Sequence, residues 1–206
     1  NQLLLQANGR SEAGVVTSSS TTWSSTSGSI STGGIYTPDI TGMTTIIGAV
    51  DGVSSNIDVE VIPGTPVSLD IDPKQANLRL DETFQFNASI VDSKGNEVTS
   101  AAPSWHSTKG AVNQTGHYTP SEVGEDSVTV SWQSMYQTAT ITVDPGSPSN
   151  LVFSGNFTVS AGEQVPLTFI ITDSQGNELP SGSAGAIAWT AEKGSIDAVG
   201  VYTGQE

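Results

Sequence analysis

His106 and His117 are the only side chains in this sequence whose ordinary pKa lies near neutrality. Their partners in chemistry are missing. The chain has no cysteine, which removes disulfides, thiolate metal sites and cysteine nucleophiles together. Two imidazoles without a thiolate make a poor zinc set. No nucleophile, base and orienting group assemble around either histidine. No catalytic residue is assigned, and the chain is not read as an enzyme. Carboxylates offer different chemistry, because a hard cation wants several carboxylates and carbonyls together. Asp70 and Asp72 sit in "LDIDP", and "SEVGED" places Glu122, Glu125 and Asp126 on one expected loop. That triad is the candidate calcium set, and no cofactor other than calcium is expected; none of these segments spells an EF-hand loop. Three N-x-[ST] sequons, at Asn87, Asn113 and Asn156, are candidate glycosylation sites.

The charge balance narrows the partners. Over 206 residues there are 6 basic and 21 acidic side chains, a formal net charge of -15. A phosphate backbone needs a positive patch, so nucleic acid is excluded as a partner. An anionic membrane surface is disfavoured for the same reason. No apolar run approaches the 18 or more residues of a spanning helix, so no membrane span is expected in this segment. The chain opens on Asn1 without a leader, which reads as a processed chain or an excerpt of a longer one.

The elements that must position these residues are written three times. Trp23, Trp105 and Trp189 are each followed at plus five by Gly28, Gly110 and Gly194, and at plus seven by Ile30, Val112 and Ile196. At plus eleven come Gly34, Gly116 and Gly200. At plus thirteen come Tyr36, Tyr118 and Tyr202, each followed by threonine. The pattern is W-x4-G-x-[IV]-x3-G-x-Y-T. The register extends outward: "DSKGNE" at 92–97 matches "DSQGNE" at 173–178, and "PGTP" at 63–66 matches "PGSP" at 145–148. Trp23 and Trp105 are 82 residues apart, as are Pro63 and Pro145. A repeat of that length is too long for a solenoid unit and suits a bead that folds by itself. The expected beads are 1–63, lacking a first strand; 64–145, complete; and 146–206, lacking the last two strands.

Inside a bead the period is two. "TFQFNASIV" alternates Phe84, Phe86, Ala88 and Ile90 with Gln85, Asn87 and Ser89. "SVTVSW" points Val128, Val130 and Trp132 inward, and "TATITVD" points Ala139, Ile141 and Val143 inward. In the first bead Ile46, Gly48 and Val50, then Ile57, Val59 and Val61, fall at the same spacing. Short alternating segments between turn residues predict an all-β chain of tandem immunoglobulin-like β-sandwich domains joined by short Pro/Gly linkers, with a closed barrel as the alternative. The tryptophans are expected in the core on a third strand. The tyrosines are expected to enter the penultimate strand as a tyrosine corner, each hydroxyl bonding a nearby backbone group. "DSxGNE" reads as a turn in which Asp and Asn bond their own backbone.

On the Trp–Gly–Tyr-Thr spacing and the "DSxGNE" turn, the chain resembles the immunoglobulin-like, Big-type repeats of prokaryotic cell-surface proteins. That class is also common in archaeal surface proteins. The resemblance implies an extracellular, cell-surface location and a structural role as a segment of an S-layer, stalk or filament, and it offers no shared catalytic residues to carry over. The source it implies is archaeal. The alternative is an adhesin or carbohydrate-binding stalk module. Partners are then copies of the chain or other surface proteins. The tip "QSMYQ" carries Met135 and Tyr136 where the first bead has "DGVSSN", and these two are the candidate interface. Beyond residue 206 the third bead is expected to be completed by a continuing chain, with strand donation from a neighbouring copy as the alternative.

Overall fold

The computed structural model describes residues 2–14, 16–17, 20–155, 158–183 and 185–205, and among them there are strands and turns but no helix. They divide into two compact units. One holds Asn1–Asp70 with Ser89–Ala102 and Trp132–Met135; the other holds Ile71–Ala88, Pro103–Ser131 and Tyr136–Glu206.

In the first unit, strand Thr22–Ser25 pairs with Gly42–Val50, which pairs with Val53–Val61 through the turn Asp51–Gly52. Both turn residues have positive φ, 50° and 82°, as the right-handed twist of a two-residue hairpin requires. A second sheet orders Leu3–Leu4, Ile35–Thr37 and Ser29–Ile30. The same scheme recurs in the middle repeat. Its main sheet orders Gln75–Arg79, Met135–Asp144, Gly124–Trp132 and Ser104–Ser107. The first of these strands runs parallel to the second, Gln75 opposite Thr140 and Arg79 opposite Asp144. Phe84–Gln85, His117–Thr119 and Ala111–Val112 form a smaller sheet, and Pro66–Asp72 pairs with Asn87–Asp92.

The alternating run at 84–92 therefore serves two sheets. Its pairing changes at Phe86, whose ring is fully buried and meets Phe84 at 4.9 Å and Tyr118 edge-on at 6.4 Å between centroids. Among the described residues, the buried apolar side chains other than Tyr36 and Ile46 all lie between Leu69 and Val143. Val128, Val130, Ala139, Ile141 and Val143 are buried as the alternation predicts. Each full-sized aliphatic among them contributes about 1.5–3 kcal/mol.

Three expectations need correction. Ile57 is 52% exposed: its strand, Val53–Val61, has no counterpart of the Gln75–Arg79 strand against it among the described residues. Trp132 is half-buried, because it ends its strand at the hairpin tip Gln133–Ser134. Tyr118 does not enter the penultimate strand; it sits on the separate three-residue strand His117–Thr119 that precedes it, and Tyr36 does the same on Ile35–Thr37.

In the third repeat Asn150–Ser154 pairs with Thr168–Thr172, and Gln164–Pro166, Val201–Thr203 and Ser195–Ile196 form a second sheet. Residues 188–191, the counterpart of strand Ser104–Ser107, are not in a strand. Leu151, Val152 and Phe153 remain 42–48% exposed.

Candidate functional site: the Asp–Gly clasps

The repeated tryptophan sentence is explained by close approach. A Cβ on Gly116 would strike the Phe86 carbonyl oxygen and lie 2.9 Å from Cζ2 of Trp105, at a φ of +83°. A Cβ on Gly110 would lie 2.6 Å from the Tyr118 ring. One glycine thus seats the indole and the other seats the phenol. Gly34 and Gly200 stand in the same relation to Trp23 and Trp189, and Gly28 and Gly194 to Tyr36 and Tyr202. Trp105 is 9% exposed, whereas Trp23 and Trp189 are half-buried. Trp105 lies opposite Val130 across its strand pair, but Trp23 lies opposite Gly48, and Trp189 lies outside any strand, between Phe153 and Phe169.

Between these rings runs a turn that the sequence pattern did not single out. Ser31, Asn113 and Asp197, each five residues before its tyrosine, use a side-chain oxygen to accept the amide four residues on, from Ile35, His117 and Val201 at 3.1, 2.9 and 2.8 Å. Three different residue types do one job, because each offers a short side-chain acceptor.

The three tyrosine hydroxyls meet three different fates: two find different partners and one finds none. Tyr118 donates to the Asp126 carboxylate at 2.6 Å, a side chain rather than the expected backbone group. Tyr202 donates to the Lys193 carbonyl at 3.0 Å. The Tyr36 hydroxyl is buried without a hydrogen-bond partner. Asp126 also accepts from the Thr108 hydroxyl and from the amides of Lys109, Gly110 and Ser127. Burial opposes ionisation of Asp126, but the hydrogen bonds from Thr108, Tyr118, Gly110 and Ser127 outweigh it and hold the carboxyl well below its usual range. Burial, then the bond to Asp126, pushes the Tyr118 phenol above its own range.

The candidate calcium set is therefore not brought together. Asp126 is turned inward and spent on these donors, Glu122 pairs with Lys109 at 2.9 Å, and Glu125 is exposed on strand Gly124–Trp132. No group of three or more His, Asp or Glu side chains able to hold a metal occurs among the described residues. His106 and His117 are both exposed. Asn87 is exposed; Asn113 is exposed with its carbonyl oxygen engaged in the turn above; Asn156 lies outside the described residues. Met135 is half-buried and Tyr136 is 71% exposed.

The two outlying motifs meet each other. The Gly64 amide, in "PGTP", donates to Oδ2 of Asp92, the first residue of "DSKGNE", at 2.8 Å. The Gly146 amide, in "PGSP", donates to Oδ2 of Asp173, the first residue of "DSQGNE", at 2.9 Å. The other carboxylate oxygen closes the turn in each copy. Oδ1 of Asp92 accepts the amides of Lys94 and Asn96, both at 2.9 Å, and Oδ1 of Asp173 accepts those of Gln175 and Asn177, both at 2.9 Å. The side-chain amides of Asn96 and Asn177 then brace Oδ2, at 3.0 and 2.9 Å. The PG[TS]P glycine, the turn aspartate and the turn asparagine form one clasp, made twice.

Each clasp has further anchors. In the first unit, the Asn96 side chain accepts the Thr41 amide at 3.4 Å and donates to the Asp39 carbonyl at 3.3 Å, and Lys94 Nζ donates to the Pro38 carbonyl. These tie the turn to the segment that follows Tyr36. In the second unit, the Ser147 amide donates to Asp81 at 3.0 Å, so adjacent amides of "PGSP" are held by two different carboxylates. The Gly64 amide, then the Asn96 side chain, hold Asp92 well below its usual carboxylate range. For Asp173, burial raises the pKa but the bonds from Asn177, Gly146 and Gln175 prevail, and it is lowered to about 2. The approach is close at Gly64: a Cβ there would sit 3.2 Å from Asp92 Oδ2, so the carboxylate would have to give way slightly.

Short, mostly antiparallel strands in several small sheets, with a tryptophan and a tyrosine recurring in each repeat, define an immunoglobulin-like all-β fold. Among solved structures the chain is similar to FdeC, an Escherichia coli adhesin, with TM-score 0.53 and 16% identity over 97% of this chain and 76% of that one. It also matches the surface-layer protein SbsC: domains 4–9 with TM-score 0.38 and 18% identity over 98% of this chain and 37% of that one, and domains 4 and 5 with TM-score 0.37 and 17% identity over 68% of this chain and 80% of that one. No family model matches the chain, and no curated protein does.

Proposed function

We propose that this chain is a structural spacer of a prokaryotic cell-surface protein, made of Big-type immunoglobulin-like beads at 1–63, 64–145 and 146–206. The observation that carries this reading is the clasp. Both linkers are held by the same Asp–Gly hydrogen bond, at positions where tandem domains are ordinarily joined by mobile chain. Each linker also has two prolines in four residues, which restricts its backbone further. The fold shared with an E. coli adhesin supports an extracellular setting. The partners in this reading are further copies of the chain or other surface proteins, met through Met135 and Tyr136, where the first repeat has Val53 and Ser54.

Spin labels on cysteines introduced at Glu12 and Gln114, both exposed, test it. The spacer reading expects a narrow distance distribution that broadens in Asp92→Ala. A broad distribution in the unmodified chain, unchanged by that substitution, would contradict it.

A further inference from the structure

A groove of about 860 Å³ opens in the first unit alongside the clasped linker, and all its lining residues belong to that unit. Trp132 forms one wall, half-buried, with its ring at the end of its strand. Glu60 and Glu97, both exposed, contribute carboxylates, and Thr41 and Ser100 contribute hydroxyls. Val61 adds apolar surface. No lysine, arginine or histidine lines the groove. Trp132 takes the position that Val50 holds in the first repeat, so the fold itself does not demand an indole there.

We propose that this groove binds a neutral oligosaccharide. Its volume lies in the range of small-molecule sites. A sugar ring presents a face of C–H groups and a rim of hydroxyls. An indole offers a broad apolar face together with an N–H donor, and ionised carboxylates are pure acceptors that suit hydroxyl donors. The absence of any cation in the lining, in a chain of net charge -15, disfavours uronates, sialylated glycans and phosphates. This site is independent of the spacer reading: a spacer that binds nothing would leave the clasp intact.

The test is a titration of the 206-residue chain with neutral hexasaccharides of glucose, mannose and N-acetylglucosamine, and separately with a lysine pentapeptide. Tryptophan fluorescence and amide chemical shifts are the readouts. The expected result is binding of at least one oligosaccharide, with shifts confined to the residues lining the groove. Trp132→Ala should weaken that binding about tenfold or more. The double variant Glu60→Gln, Glu97→Gln should also weaken it, and because both side chains are exposed it should melt like the unmodified chain, which keeps the test valid if Trp132→Ala disturbs the hairpin. No oligosaccharide binding up to about 10 mM, binding of the peptide alone, shifts elsewhere, or variants that bind as before would each overturn the proposal.

Discussion

Tyr118 donates a 2.6 Å hydrogen bond to Asp126, eight residues on, while the equivalent pair in the first repeat, Tyr36 and Thr44, makes no such bond. Both tyrosines are 1% exposed, and Thr44 is as buried as Tyr36. The two repeats share the backbone that surrounds this pair: Gly42 and Gly124, two residues earlier, both have φ of +116°. The difference is one side chain, a carboxylate that reaches the phenol and a threonine that does not.

This pair yields opposite predictions in the two repeats. Asp126→Asn replaces an acceptor-only group with one that brings its own donors among five existing ones, and should destabilise the middle repeat by about 1–3 kcal/mol. Thr44→Asp should do the reverse, giving the buried Tyr36 hydroxyl a partner. Amide exchange along Gly42–Val50 measures the second effect. Slower exchange is expected, and faster exchange would mean that the new carboxylate is not satisfied.

The glycines that seat the aromatic rings should be intolerant beyond their backbone angle. Gly116→Ala faces both a φ of +83° and the Trp105 ring, and should cost about 2–4 kcal/mol. Gly95→Ala has the same φ of +83° but open space around it, and should cost about 1 kcal/mol. Urea unfolding of the two variants separates strain from collision. Equal losses would remove the collision.

The clasps make stability depend on acid. The folded pKa of Asp173 is lowered to about 2, and Asp92 is likewise held well below the usual carboxylate range, against an unfolded value of about 3.9. A depressed carboxylate adds stability that is complete above the unfolded value and is lost as pH falls through the folded one. The melting temperature should therefore hold steady from neutrality to about pH 5 and fall between about pH 4 and 2. The double variant Asp92→Asn, Asp173→Asn should show a shallower fall, with the remainder coming from Asp126 and Asp81, also held low. An unaltered slope would place the acid sensitivity elsewhere.

Much of this was legible in the sequence. The period of two placed Val128, Val130, Ala139, Ile141 and Val143 in the core, and the Trp–Gly–Gly–Tyr spacing set three equivalent frames. Burial of Trp23, Trp189 and Ile57 was not legible to the same degree, since it depends on what a neighbouring strand brings across: Gly48 where the middle repeat has Val130, or no paired strand at all. Asp126 looked like one of three loop acids, because a sequence does not show which carboxylate turns inward. The signal available was its place eight residues after Tyr118 and its replacement by Thr44. Both halves of the clasp were visible as repeated motifs. Their meeting was not, because Gly64 and Asp92 are joined through strand pairing between Pro66–Asp72 and Asn87–Asp92 that local pattern does not specify.

The clasp is tested most directly at its donors, by hydrogen exchange at the Gly64 and Gly146 amides in the unmodified chain and in Asp92→Ala and Asp173→Ala. Both amides should be protected like those of the adjoining strands, and each substitution should expose its own linker glycine while leaving the other protected. Linker amides that exchange at the rate of free chain before any substitution would contradict the account.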